Sequence, residues 1–139
     1  MANLIRYLAA TLLLGTLVIV PTFSRAGDGG GVVFELRTYT THDGRLPALE
    51  ARFRDHTMAL FEKHGMRNIG YWIPLDKPNT LIYIIAHESA AAIQQNWKAF
   101  IADPAWQTVA RESQKDGQIL IEGGIVSQVM SATDYSPIR

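Results

Sequence analysis

The sequence contains no cysteine, and its 13 basic residues are matched by 13 acidic ones. Without cysteine the chain forms no disulfide, uses no thiol nucleophile and holds no iron–sulfur cluster or cysteine-ligated zinc. The balanced charge provides no basic surface for nucleic acid, so we expect no nucleic-acid partner. With 139 residues, 47% of them hydrophobic, the chain has the size of one ordinary domain and is too apolar to be disordered.

Long hydrophobic runs are also scarce, and the one near the N-terminus, residues 8–20, is short. It is ended by Pro21 and followed by the small residues Ser24 and Ala26, an arrangement typical of a secretory signal peptide. The run falls short of the ~20 residues that span a bilayer. We therefore expect residues 1–26 to be a cleaved signal peptide, with an uncleaved membrane anchor as the alternative. The mature protein would then be periplasmic or secreted, with no stable membrane span.

The rest of the chain alternates between strand and helix patterns. Residues 27–31 form a glycine-rich, flexible lead-in, and residues 32–139 form the domain. Period-two alternation predicts strands, and apolar residues spaced three to four apart predict helices. The predicted elements are a strand over 32–40, a helix over 46–65, strands over 66–74 and 80–87, helices after Ser89 and after Asp103-Pro104, and a strand over 119–131 with a bend at Gly123-Gly124.

This β-α-β-β-α-β order predicts an α+β, ferredoxin-like unit, whose antiparallel four-stranded sheet carries its helices on one face. We expect the other face to be open and to carry Glu35, Arg37, Tyr39, Tyr83, Ile85 and His87. Large apolar groups there would form an exposed patch on a monomer. Packing two such sheets face to face predicts a homodimer, a dimeric α+β barrel with a cavity between the subunits.

Four short motifs carry a family resemblance. The domain opens on Glu35-Leu36-Arg37-Thr38-Tyr39, which resembles the E-L-R-x-Y motif of the NIPSNAP family. Three further stretches agree in register: Lys63-His64-Gly65 with Gly70-Tyr71-Trp72, Tyr83 with Ser89, and Asp103-Pro104-x-Trp106-Gln107. The resemblance implies the dimeric α+β barrel fold. It implies no particular reaction, because the family has no well-established chemistry.

The candidate ligand-binding residues are Arg37, Tyr39, Trp72, Tyr83 and His87. The mid-strand Arg37 suits an anion clamp, and the two tyrosines are hydroxyl donors. Trp72 suits the wall of an aromatic-ligand pocket, and His87 suits proton transfer near neutral pH. For Arg37 a structural ion pair with Glu35 or with the partner subunit remains the alternative.

Metal and cofactor chemistry find little support in the sequence. His56 and His64 lie two helical turns apart, about 12 Å along a helix, which is too far for one metal ion. The glycines at 27–31 precede the first strand instead of following one, so they do not make a phosphate-binding loop. We expect neither a metal nor a cofactor.

Two functions remain open. The first is an exported homodimer that binds a small molecule or a protein partner in or near the intersubunit cavity. The second is a cofactor-independent monooxygenase or a haem-related enzyme, by analogy with other dimeric α+β barrels. No motif fixes a catalytic pair, so the catalytic residues stay unknown.

The expected export can be measured directly. We expect the mature chain to begin at Gly27, because small residues at 24 and 26 suit the cleavage enzyme. Intact-mass spectrometry of protein exported by its own cell measures the N-terminus. A mass that includes residues 1–26 would identify the segment as an anchor.

Overall fold

Strands and helices alternate along residues 31–139, which are the part of the chain that the computed structural model describes. The elements are β1 Val33–Thr41, α1 Leu46–Arg52, a π-helical turn Phe53–Thr57, α2 Met58–Lys63, β2 Arg67–Trp72, β3 Thr80–His87, α3 Ala92–Ala102, α4 Pro104–Glu112 and β4 Leu120–Ser131. Every element predicted within this range is present. The predicted signal peptide lies outside the described residues.

The four strands form one antiparallel sheet in the order β2-β3-β1-β4. With the helices packed on one face, this is the predicted ferredoxin-like, α+β arrangement. The core lies between that face and the helices, and its buried members are Tyr39, Leu46, Leu49, Phe53, Phe61, Met66, Leu81, Tyr83, Ile85, Phe100 and Ile119. Within residues 31–139 no helix has the length and apolar character needed to cross a bilayer.

Element ends follow local chemistry that is visible in the sequence. Gly65 ends the first helical stretch with a φ of +74°, a conformation that glycine adopts without a steric penalty. Asp103 caps α4, because its side chain accepts a hydrogen bond of 2.8 Å from the backbone N–H of Ala105. In β4, a Cβ on Gly124 would lie 2.6 Å from the carbonyl oxygen of Thr40. The predicted bend is therefore a bulge that needs glycine.

One part of the fold prediction is wrong: the set containing Glu35, Arg37 and Tyr39 lies on the helix-covered face. Tyr39 packs against Phe53 of the π-helical turn, with ring centroids 5.9 Å apart. Tyr83, Ile85 and His87 share this face and are all buried. Alternation separates two sets of residues but does not say which set the helices cover. Both sets of β1 and β3 contain large apolar side chains, so either face suited a core.

The open face carries the other set. Its apolar members are Phe34, Leu36, Ile69, Trp72, Ile82, Ile84, Val126 and Met130. Ile138 of the C-terminal tail lines a pocket on this face together with Phe34 and Ile84. Trp72 and Val126 are about half exposed, at 52% and 55%. The face is thus more apolar than the predicted set, which contained Glu35, Arg37 and His87.

Candidate functional site

A pocket of about 430 Å³ lies between the helices and the covered face of the sheet. The described residues that line it are Arg37, Tyr39, Arg52, Phe53, Thr57, Phe61, Trp97, Phe100, Ile101, Trp106, Ala110, Gln114, Leu120 and Ile125. Ile101, Gln114 and Ile125 are exposed and mark its mouth. A concave, mostly apolar space of this size with a few polar groups is typical of a small-molecule site.

The buried carboxylate of Glu35 organises one wall of this pocket. Its Oε1 accepts hydrogen bonds of 2.6 Å from both Arg37 Nη1 and Ser127 Oγ. Its Oε2 accepts one of 2.7 Å from Trp97 Nε1 and lies 3.0 Å from His87 Nε2. These four donors come from β1, β4, α3 and β3. One side chain therefore ties three strands and a helix together.

Hydrogen bonding decides the ionisation of Glu35. Burial alone would raise its pKa, but hydrogen bonds from His87, Ser127 and Trp97, together with the Arg37 charge, lower the pKa to about 2. On the far side of the imidazole, the Asn96 amide donates to His87 Nδ1 at 3.2 Å. The ring hydrogen therefore sits on Nε2 and points at Glu35. His87 thus orients a carboxylate and does not face the pocket.

Arg37 reaches the pocket with its charge already balanced. It pairs with Glu35 at 2.6 Å, and its guanidinium carbon lies 4.3 Å from the centroid of the Trp97 ring. A guanidinium over an aromatic face is attracted by the ring quadrupole. The structural alternative considered from the sequence, an ion pair with Glu35, is present, and the same side chain also lines the pocket.

Arg52 is a second arginine in the pocket, and it lacks such a partner. The residue is only 7% exposed, and its guanidinium carbon lies 5.4 Å from the centroid of the Trp106 ring. Its Nε is buried and forms no hydrogen bond. Within residues 31–139 it forms no ion pair with a carboxylate. Burial lowers the pKa of Arg52, but an arginine remains protonated in proteins.

The π-helical turn that follows Arg52 shapes this side of the pocket. The turn directs Phe53 and Thr57 inward and leaves His56 exposed. The Thr57 hydroxyl donates to the carbonyl oxygen of Arg52 at 3.1 Å, which satisfies a carbonyl inside the widened turn. Single π-turns within α-helices are frequent at functional sites.

The remaining predicted site residues are spread over two faces. Tyr83 is fully buried behind the pocket, 5.2 Å from Tyr39 between ring centroids. Burial raises the pKa of Tyr83 well above its ordinary value, so its hydroxyl stays neutral. Trp72 lies on the open face of the sheet, folded over Gly70. The structure therefore brings Arg37 and Tyr39 to the pocket, places Tyr83 and His87 behind them, and separates Trp72 from all four.

No group of three or more His, Asp or Glu side chains within residues 31–139 is arranged to hold a metal ion. His56 is exposed at the helix surface. His64 lies at the end of α2, where its Nε2 is 2.7 Å from Asp103 Oδ2. These two histidines therefore belong to different surroundings.

The comparisons with known proteins place the chain in a family. A family model described as NIPSNAP matches residues 34–137. The chain belongs to the NIPSNAP family. None of the curated proteins matches the sequence.

Solved structures of NIPSNAP proteins share this fold. A NIPSNAP-like domain protein from Burkholderia xenovorans is 17% identical, covers 78% of this chain and 91% of its own, and gives a TM-score of 0.67. A NIPSNAP family protein with unknown function from Agrobacterium tumefaciens is 22% identical, with coverage of 79% and 96% and a TM-score of 0.67. SnoaB, a cofactor-independent oxygenase from Streptomyces nogalater, is 18% identical, with coverage of 77% and 98% and a TM-score of 0.54. At these identities the likeness concerns the fold alone.

Sequence reasoning missed Arg52 as a residue of this NIPSNAP site. The signal is its spacing: Arg52 follows the core residue Leu49 by three positions and immediately precedes the core residue Phe53. Residues three and four apart lie on one helix face, so a charge stands on the apolar stripe. Charged residues are rarely buried unless they are paired.

We expect the stability of this NIPSNAP protein to depend on pH through Glu35. The folded-state pKa of Glu35, about 2, lies below its ordinary value of 4.5. Its charge therefore stabilises the fold above about pH 4.5, and this contribution is lost as the pH falls toward 2. Glu35→Gln should lower the free energy of unfolding at pH 7 by about 3–5 kcal/mol, because it leaves Arg37 unpaired.

Chemical denaturation from pH 7 to pH 3 measures this effect. The difference in the free energy of unfolding between wild type and Glu35→Gln should shrink as the pH falls below about 4.5. The other carboxylates are the same in both proteins, so their contributions cancel in this difference. The matched control is Glu88→Gln, which alters an exposed glutamate next to His87 and should change stability by no more than about 0.5 kcal/mol. A difference for Glu35→Gln that is constant with pH would contradict the stabilising charge.

Proposed function

We propose that this NIPSNAP protein binds a small, largely apolar molecule in the pocket between the helices and the sheet of a single subunit. The observation that carries the proposal is the 430 Å³ space itself, with aromatic rings on several sides and two arginines among its lining residues. Trp97, Phe100 and Trp106 form one aromatic wall, in which the Phe100 and Trp106 ring centroids are 4.4 Å apart. The proposed site lies within one subunit, whereas the sequence led us to expect a site in or near the cavity between two subunits.

Binding suits the pocket better than catalysis does. Its described lining residues include neither a histidine nor a carboxylate, the groups that most often act as general bases. Glu35 and His87 lie behind the wall and hydrogen-bond with each other. The alternative of a cofactor-independent monooxygenase or a haem-related enzyme is supported only by the fold that the chain shares with SnoaB.

We also propose a homodimer formed through the open face of the sheet. That face exposes Trp72 and Val126 on its two edge strands, and Ile82 and Thr38 lie in register between them. Exposed large apolar side chains on one face are typical of an interaction site. The N-terminal pattern of residues 1–26 supports the further proposal that the mature dimer is exported.

Ligand binding can be tested with N-phenyl-1-naphthylamine, an uncharged aromatic probe that fluoresces in apolar surroundings. We expect saturable binding of one probe molecule per chain. Ala110→Phe places a ring in the pocket and should weaken binding at least about tenfold, since a displaced ligand loses its buried apolar contacts. Ala105→Phe is the matched control, because Ala105 lies on the same helix but is exposed and outside the pocket lining.

Two outcomes would overturn the binding proposal. Equal probe affinity in Ala110→Phe and wild type would show that the probe lies elsewhere, for example on the open face of the sheet. Consumption of dioxygen with a quinol, lost in Ala110→Phe but kept in Ala105→Phe, would show that the pocket performs oxygenase chemistry.

Dimerisation can be tested by sedimentation velocity of residues 27–139 at micromolar concentration. We expect twice the mass of one chain for wild type and a monomer for Val126→Lys, because a charge on the open face opposes burial of that face. Val129→Lys is the matched control: Val129 lies on the same strand and is also 55% exposed, but it faces the helix side. A wild-type monomer, or equal dissociation in both variants, would contradict the proposed interface.

A further inference from the structure

Arg52 carries a charge that the described part of the protein does not neutralise. The residue is more than nine-tenths buried, lines the pocket, and has an unpartnered Nε. Within residues 31–139 the contact of its guanidinium is a cation–π contact with Trp106, in which the guanidinium carbon lies 5.4 Å from the ring centroid. A cation over an aromatic ring recovers only part of what a buried charge loses on leaving water.

Arg37 provides an internal comparison. Both arginines line the same pocket and both lie over a tryptophan. Arg37, however, is paired with Glu35, and that carboxylate is in turn held by three further donors. The Nε of each arginine is buried without a hydrogen bond, so the two differ in their charge balance. Within residues 31–139 a carboxylate neutralises Arg37, whereas none pairs with Arg52.

The surroundings of Arg52 provide it with no paired carboxylate. Asp55, Glu112 and Asp116 line a second pocket with Arg52, but none of them forms an ion pair with it. Thr57, its polar neighbour, already donates its hydroxyl hydrogen to the Arg52 carbonyl. The other buried uncharged lining residues are all aromatic, namely Tyr39, Phe53, Phe61 and Phe100. The pocket thus offers one unpaired cation within an apolar surround. A guanidinium presents paired N–H groups that match the two oxygens of a carboxylate or a similar oxyanion.

From this arrangement we infer that Arg52 is the anion-binding group of the pocket and that its ligands are apolar rings or chains carrying one oxyanion group, such as a carboxylate or sulfonate. This inference rests on the proposed function, since it assigns the ligand class of the same pocket. Arg37 orients Trp97 along the wall, and Arg52 pairs with the ligand.

Two probes with the same aromatic body separate charge from apolar contact. 1-Anilinonaphthalene-8-sulfonate carries the ring system of N-phenyl-1-naphthylamine with an added sulfonate. We expect Arg52→Gln to weaken the sulfonate probe at least about tenfold, the usual effect of losing a hydrogen bond to a charged group. The uncharged probe should keep its affinity within about twofold, because it makes no ionic contact.

The matched control is Arg54→Gln, which removes the same charge two residues along the helix from an exposed side chain outside this pocket. Arg54→Gln should leave the affinities of the sulfonate probe and of the uncharged probe within about twofold of the wild-type values, since exposed charges are screened by solvent and salt. Arg52→Lys keeps the charge but not the planar fork, so its loss of sulfonate affinity should be smaller than that of Arg52→Gln.

A measurement on the wild-type protein covers the case in which Arg52 variants fail to fold. 1-Naphthoate should displace the uncharged probe at a concentration at least about tenfold lower than 1-naphthamide, which has nearly the same shape without the charge. Equal potency of the two competitors, or an equal loss of both fluorescent probes in Arg52→Gln, would overturn the anion assignment. Failure of the uncharged probe to distinguish Ala110→Phe from Ala105→Phe would overturn the proposed function itself.

Discussion

The carboxylate of Glu35 is the constraint on which the covered face of this NIPSNAP fold depends. A buried carboxylate is tolerable only when donors surround it, and here the donors are His87, Ser127, Trp97 and Arg37. Because these donors lie on β1, β3, β4 and α3, their hydrogen bonds to Glu35 fix the β1–β3 contact, the β1–β4 contact and the position of α3. The same network decides where the Trp97 ring lies, and with it one wall of the pocket. Fold and site therefore share a single electrostatic cause.

Arg52 shows the opposite arrangement. The π-helical turn after it keeps Phe53 and Thr57 inward, so that a charge remains on the apolar side of the helix. Such a group costs stability in the empty protein and recovers that cost when an anion arrives. An unneutralised buried arginine is therefore better explained by a ligand than by packing. Arg52 thus resembles residues of other binding sites at which stability and function oppose each other.

Much of the fold could be predicted from the sequence, because its signals are local. Gly65, Asp103-Pro104 and Gly123-Gly124 mark ends and bends through backbone chemistry that tertiary packing does not override. The facing of the sheet could not be predicted, since both alternating sets in β1 and β3 are apolar enough to be buried. That single ambiguity moved Arg37 and Tyr39 from an expected intersubunit cavity to a pocket within one subunit. Trp72, predicted as a pocket wall, lies on the opposite surface for a different reason: it pairs with Ile82, which belongs to the other alternating set.

The two proposed functions, ligand binding and dimerisation, use opposite faces of the sheet, and β4 contributes side chains to both faces. Ile125 and Ser127 point toward the helix side, where Ile125 lines the pocket and Ser127 donates to Glu35. Val126, between them, points to the open face. β4 is an edge strand, and within residues 31–139 it pairs with β1 alone. A second sheet packed against Val126 would hold the Ile125–Ser127 wall in place, because alternate side chains of one strand cannot move independently. Association on one face would thus favour a preorganised pocket on the other, although each pocket consists of residues from a single chain.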